Sequence, residues 1–113
     1  MNQLIGRDRD NQFTFQLTGI ANVTKAQQLL NFHSQLQKYQ PSITLSIPKN
    51  WFLAFQQLTD YLEQSKEEKK IIFLDELPWL DKQKSDFITS LEHFWNSRAS
   101  ARNEVLLIVC CSA

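Results

Sequence analysis

The chain has 113 residues, with 42% hydrophobic and 12% aromatic content, which is enough for the core of one small domain and too much for a disordered segment. Lys and Arg together number 12, as do Asp and Glu, so the formal net charge is zero and the basic excess that drives non-specific nucleic-acid binding is missing; nucleic acid is not indicated. No apolar run approaches the ~20 residues that span a bilayer. The start, Met1 to Arg7, has no apolar signal region, so no membrane is expected and the expected location is the cytoplasm.

Phe13 to Thr18 alternates apolar and polar residues and stops at Gly19, which predicts a strand. Thr24-Lys25-Ala26-Gln27 fits a capping box, and Ala26, Leu29, Leu30, His33 and Leu36 continue at helical spacing, so a helix is expected to about residue 39, closed by Pro41. Ile43 to Ile47 alternates but lies between Pro41 and Pro48, which suits an extended connector or an edge strand. Asn50 can cap a second helix whose apolar stripe is Trp51, Phe55, Leu58, Tyr61 and Leu62. Glu63 to Lys70 reads as a charged, solvated turn.

Ile71 to Leu74 is apolar throughout, so both of its faces are expected to be covered, as in a central parallel strand. Pro78 ends regular pairing beyond Glu76 and forces the chain off the sheet. Ser85 can cap a third helix with Phe87, Ile88, Leu91, Phe94 and Trp95 on one face. Val105 to Cys110 is a second fully apolar strand. Strands alternating with helices predict right-handed crossovers and a parallel α/β sheet. Cys110 and Cys111 are adjacent and have no further Cys or His at ligand spacing, so they are expected to be half-buried reduced thiols without a zinc role.

Asp75-Glu76 closes the Ile71–Leu74 run. In a parallel sheet, ligands sit beyond the carboxyl ends of the strands. A carboxylate there can hold a hydrated magnesium ion, and a second beside it can orient or deprotonate a water attacking a terminal phosphate. An apolar strand ending in Asp-Glu is therefore the Walker B pattern, although acids also occur at strand ends by chance. One helix later the next strand ends in a hydroxyl residue, Ser112, which is suited to sensing a phosphate or to an ordinary turn.

Four segments carry a resemblance: Phe13 to Gly19, Phe73-Leu74-Asp75-Glu76-Leu77-Pro78-Trp79, Leu91-Glu92-His93-Phe94-Trp95-Asn96, and Leu107 to Ala113. Together they resemble prokaryotic AAA-type P-loop ATPases of the archaeal-ATPase branch, within or near the STAND class, which often carry a nuclease-like C-terminal domain. The resemblance spans nearly the whole chain. It implies a partial three-layer P-loop NTPase sandwich over residues 1–113, with about three parallel strands flanked by helices. It implies ATP and Mg2+ as cofactors, Asp75 as the magnesium-associated acid, Glu76 as the catalytic base and Ser112 as the sensor. Arg98 and Arg102 could face phosphate, or could be cations favoured by a helix C-terminus.

Three departures from that family stand out. The chain has no Gly-x-x-x-x-Gly-Lys-Thr loop; its glycines are Gly6 and Gly19, and Leu4-Ile5-Gly6-Arg7 resembles the helix that follows such a loop. Cys111 stands where the family usually has glycine. The lid region after the sensor strand is absent. Without the loop, neither a ring of backbone N–H groups nor its lysine holds the phosphates, so the chain alone is expected not to hydrolyse ATP. The family's loop-bearing strand lies beside the sensor strand, so Val105–Cys110 is expected to present a bare apolar edge, with Ile71–Leu74 in the middle of the sheet. Two other functional classes are consistent with the residues. One is a non-catalytic interaction module that self-associates through that edge. The other is a metal-dependent nuclease or phosphatase using Asp75, Glu76 and Asp81. Asp60 and Asp86 fall on predicted helices, and His33 and His93 read as packing residues on helix faces.

Overall fold

A computed structural model of the chain describes residues 13–81, 86–97 and 105–110. Within these, the elements follow the order β1 (Phe15–Thr18), α1 (Lys25–Tyr39), α2 (Trp51–Gln64), β2 (Lys70–Asp75), α3 (Leu77–Leu80), α4 (Phe87–Ser97) and β3 (Val105–Val109). Local chemistry starts the two long helices where the sequence predicts. The Thr24 hydroxyl accepts from the Gln27 N–H at 3.1 Å, and Gln27 Oε1 accepts from the Thr24 N–H at 2.9 Å, which completes the capping box of α1. Asn50 Oδ1 accepts from the Leu53 N–H at 2.8 Å and caps α2. Ser85, the expected cap of the third helix, lies outside the described residues. The Asp86 carbonyl accepts from the Ser90 N–H at 3.0 Å in the first turn of α4.

The three strands form an all-parallel sheet in the order β1-β2-β3, with β2 in the middle. The fold is α/β, a parallel sheet flanked by helices, consistent with part of a three-layer sandwich. In register, Phe15 pairs with Ile72 and Ile72 with Leu107, while Leu17 pairs with Leu74 and Leu74 with Val109. Both β-α-β connections step across the sheet in the same direction, so right-handed crossovers put α1, α2 and α4 on one face. There Phe15, Leu17, Ile72 and Leu74, all buried, form one core with Phe32 and Leu36 of α1, Trp51, Phe55 and Leu58 of α2, and Phe87 and Phe94 of α4. Trp51 is its hub: its ring lies edge-on to Phe87 at 4.9 Å and to Phe32 at 6.0 Å.

The structure corrects three expectations. Burial alternates along β2, with Ile72 and Leu74 buried but Ile71 and Phe73 only half-buried, so the two faces are not equally covered. The second face carries Phe73, stacked on Phe13 at 5.0 Å, beside Ile108 of β3. Lys70 is the first residue of β2 and is buried, its Nζ donating to the Glu67 carbonyl at 3.0 Å, so the solvated turn ends one residue earlier than expected. Cys110 is exposed rather than half-buried. Of the two forms expected for Ile43 to Ile47, it is the connector and not the edge strand. The Gln37 side chain stands in for a strand partner, donating to the Ile43 carbonyl and accepting from the Leu45 N–H at 3.1 Å. Among the described residues, no helix is long and apolar enough to cross a membrane.

Candidate functional site at the carboxyl edge of the sheet

Asp75 is the last residue of the central strand and pairs in register with Thr18. The ladder continues one step beyond, where the Gly19 N–H donates to the Asp75 carbonyl at 2.9 Å. Glu76 then adopts the left-handed conformation, φ 56° and ψ 47°, which costs a residue with a side chain about 1–2 kcal/mol. Its neighbours hold it there. Asp75 Oδ1 accepts from the Glu76 N–H at 2.8 Å, and the Leu77 N–H donates to the Cys110 carbonyl at 3.1 Å, tying the turn to β3. The turn delivers the chain into α3, with Pro78 in the first turn, where a missing N–H costs nothing. Pro78 therefore starts a short helix at the sheet's edge.

Gly19 and Gln28 make this arrangement possible, and neither is evident from motif reading. A Cβ on Gly19 would lie 2.7 Å from the Glu76 carbonyl oxygen and 2.9 Å from Leu80 Cγ, so only glycine lets the end of β1 pass under the turn. Gln28 is buried on the core side of α1. Its Nε2 donates to the carbonyls of Ile20 and Trp79, each at 2.8 Å, and its Oε1 accepts from the Ile20 N–H at 3.1 Å. One side chain thus joins the loop after β1 to the end of α3. The signal for Gln28 is a polar residue beside Leu29 on the apolar stripe of a helix. The signal for Gly19 is only its position at a strand end.

The acids at this edge are Asp75 and Glu76, both partly exposed. With Oδ1 of Asp75 engaged by the backbone, Oδ2 and the Glu76 carboxylate remain as hard oxygen donors. Among the described residues, no group of three or more His, Cys, Asp or Glu side chains is arranged to hold a metal ion. Two carboxylates supply at most part of the six-oxygen shell that a magnesium ion takes, so the described residues form no protein cage for one. Asp81 is exposed at the end of α3, its N–H bonded to the Leu77 carbonyl at 3.0 Å. Asp86 is paired with Lys25 at 2.9 Å at the start of α4, and Asp60 is exposed on α2. His33 is half-buried on α1, and His93 on α4 lies 5.2 Å from the Phe52 ring. Ser112, Cys111, Arg98 and Arg102 lie outside the described residues.

Six backbone donors at this edge are already engaged. The N–H groups of Gly19, Ile20, Glu76, Leu77, Trp79 and Cys110 donate to Asp75, Gln28, Asp75, Cys110, Glu76 and Leu74 respectively. A phosphate-binding nest needs several convergent free N–H groups, and these six residues offer none. The described edge thus presents two carboxylates and, at these six residues, no free backbone N–H. A cleft of about 210 Å³ between α2 and α4, with Phe52, Ser90 and His93 in its lining, lies in the helix layer and includes neither carboxylate. Compared with protein-family models, curated proteins and solved structures, the chain finds no match.

Proposed function

We propose that the chain is the Walker B portion of an ATP-binding, ATP-hydrolysing AAA-type P-loop ATPase, working in the cytoplasm. The observation that supports this reading most directly is an Asp-Glu pair at the carboxyl end of the central strand of a parallel sheet, where α/β proteins bind ligands. In this reading Asp75 would hold hydrated Mg2+, its Oδ1 being engaged by the Glu76 N–H. Glu76 orients the attacking water and takes its proton. Ser112, which follows β3 in the sequence and lies outside the described residues, contacts the terminal phosphate in this reading. Magnesium supplies charge neutralisation of the phosphates. The phosphate cradle comes from a separate glycine-rich segment, because the local N–H groups are already bonded. The chain by itself does not turn over ATP.

The test is the coding sequence upstream of Met1. An in-frame or frameshifted Gly-Lys-Thr segment there, whose product hydrolyses ATP and loses turnover in Glu76→Gln while still binding nucleotide, supports the reading. Absence of such a segment contradicts it. A second reading, a non-catalytic module that self-associates through β3, is favoured by a different observation. Leu106, Ile108 and Val109 are 48%, 36% and 45% exposed on a strand with no charged residue.

A further inference from the structure

The outer edge of β3 has a defined hydrogen-bonding phase. The Cys110 N–H donates to the Leu74 carbonyl, and the Cys110 carbonyl accepts from the Leu77 N–H, so the main chain of residue 110 faces inward, toward β2. Backbone groups alternate in direction along a strand, so Leu106 and Ile108 also face β2, while Val105, Leu107 and Val109 direct their N–H and C=O groups outward. No strand lies beyond them among the described residues.

Those three outward residues are symmetric about Leu107. If a second copy of β3 runs antiparallel alongside, Leu107 meets its own counterpart and Val105 meets Val109 of the other copy. Every outward group then finds a partner in a hydrogen-bonded pair, each such pair exchanging two bonds. Other antiparallel registers do worse: a slip of one residue sets outward groups against inward ones, and a slip of two leaves an end pair unmade. The side chains agree with this register. Leu106 of one copy falls opposite Ile108 of the other in a non-hydrogen-bonded pair, where side chains approach closely, and no charged residue lies on β3 to oppose it. These are the exposed residues of the open face, in register with Ile71 and Phe73.

We infer that β3 is a self-recognition edge that joins two copies of this chain through an antiparallel, two-fold pairing centred on Leu107. The two-fold axis stands perpendicular to the sheet. The two sheets become one continuous sheet, with the helices of both copies on the same face and the open apolar faces merged on the other. The inference deepens the second reading above and rests on it, because under the ATPase reading the loop-bearing strand would occupy the same edge of β3. A five-residue ladder is a small interface, so the dimer is weak and concentration-dependent.

Sedimentation equilibrium over a wide concentration range tests the inference with two charge variants at the exposed positions Leu106 and Ile108. The doubly basic variant, Leu106→Lys with Ile108→Lys, sets like charges directly across both pairs and weakens the dimer by about tenfold or more. The mixed variant, Leu106→Lys with Ile108→Glu, sets opposite charges across the same pairs and restores association. Far-UV circular dichroism establishes that each variant keeps the native fold, and should either unfold, Leu107→Pro replaces it, because the outward N–H of Leu107 is not needed within the monomer. The inference predicts a monomer–dimer equilibrium in the native chain, with loss in the doubly basic variant or Leu107→Pro and recovery in the mixed variant. Dimerisation unaffected by these substitutions, or open-ended growth, overturns the pairing while leaving edge association standing. A strictly monomeric native chain overturns both.

Discussion

Replacing Gly19 by alanine separates two opposite effects of the same substitution. Where the backbone conformation suits alanine, Gly→Ala stabilises a protein by about 0.4–1 kcal/mol by restricting the unfolded chain. Gly19 has no positive φ, so its backbone does not forbid a side chain. The obstacle is space. The new Cβ would sit 2.7 Å from the Glu76 carbonyl oxygen, 2.9 Å from Leu80 Cγ and 3.2 Å from Trp79 Cβ. The first of these is main chain, held by the Trp79 N–H and by the turn at Glu76, and cannot rotate away. Overpacking of this kind costs about 1–3 kcal/mol; main chain that cannot move puts this contact at mid-range, about 2 kcal/mol, which leaves a net loss of about 1 kcal/mol after the entropic gain. For a domain near this size, 1 kcal/mol corresponds to roughly 4–8 °C in Tm. Thermal and urea denaturation of Gly19→Ala beside the native chain gives the answer: Tm falls by about that much or more. An unchanged or raised Tm refutes the close approach of β1 to the Glu76 turn, and with it the geometry of the site.

Gln28→Leu keeps the volume but strands the Ile20 N–H and the carbonyls of Ile20 and Trp79, so urea denaturation shows a loss of about 1–3 kcal/mol. Tyr61 donates its hydroxyl to the Thr14 carbonyl at 2.7 Å, and burial first, then Tyr39 and Glu67, pushes its pKa from 10.0 up to about 12. Below pH 10 its contribution to stability is fully present; above that the unfolded chain loses the proton first, so stability falls as pH rises toward about 12. Denaturation midpoints of Tyr61→Phe over the same alkaline range are flatter than those of the native chain. ATP with Mg2+ shows no turnover by this chain above that of its Glu76→Gln variant in a phosphate-release assay, and turnover that vanishes in Glu76→Gln contradicts the assignment of the phosphate cradle to another segment.

Local chemistry was legible in the sequence wherever it is self-contained. The capping box at Thr24, the Asn50 cap and the Asp-Glu strand end each depend on residues a few positions apart, whereas the strand order was implied only by the family resemblance. Longer-range features were not legible. The uniform apolarity of Ile71 to Leu74 cannot reveal that the helices lie on one face, because that follows from the direction in which both crossovers step. Lys70 looks like the end of a charged run until the Glu67 carbonyl is seen to bind its Nζ. Ile43 to Ile47 has a strand's alternation but bonds to a helix side chain, Gln37, which no periodicity encodes. Gly19 and Gln28 matter because α3 folds back over them, and that contact is tertiary.

The most direct test of the carboxylate pair uses Mn2+ in place of magnesium and follows backbone amide signals by NMR. The account predicts selective broadening at the carboxyl edge, around Gly19, Asp75 to Leu77 and Cys110, that disappears in Asp75→Asn. Broadening that ignores this edge, centres on the acids at Glu63, Glu67 and Glu68, or persists unchanged in Asp75→Asn contradicts it.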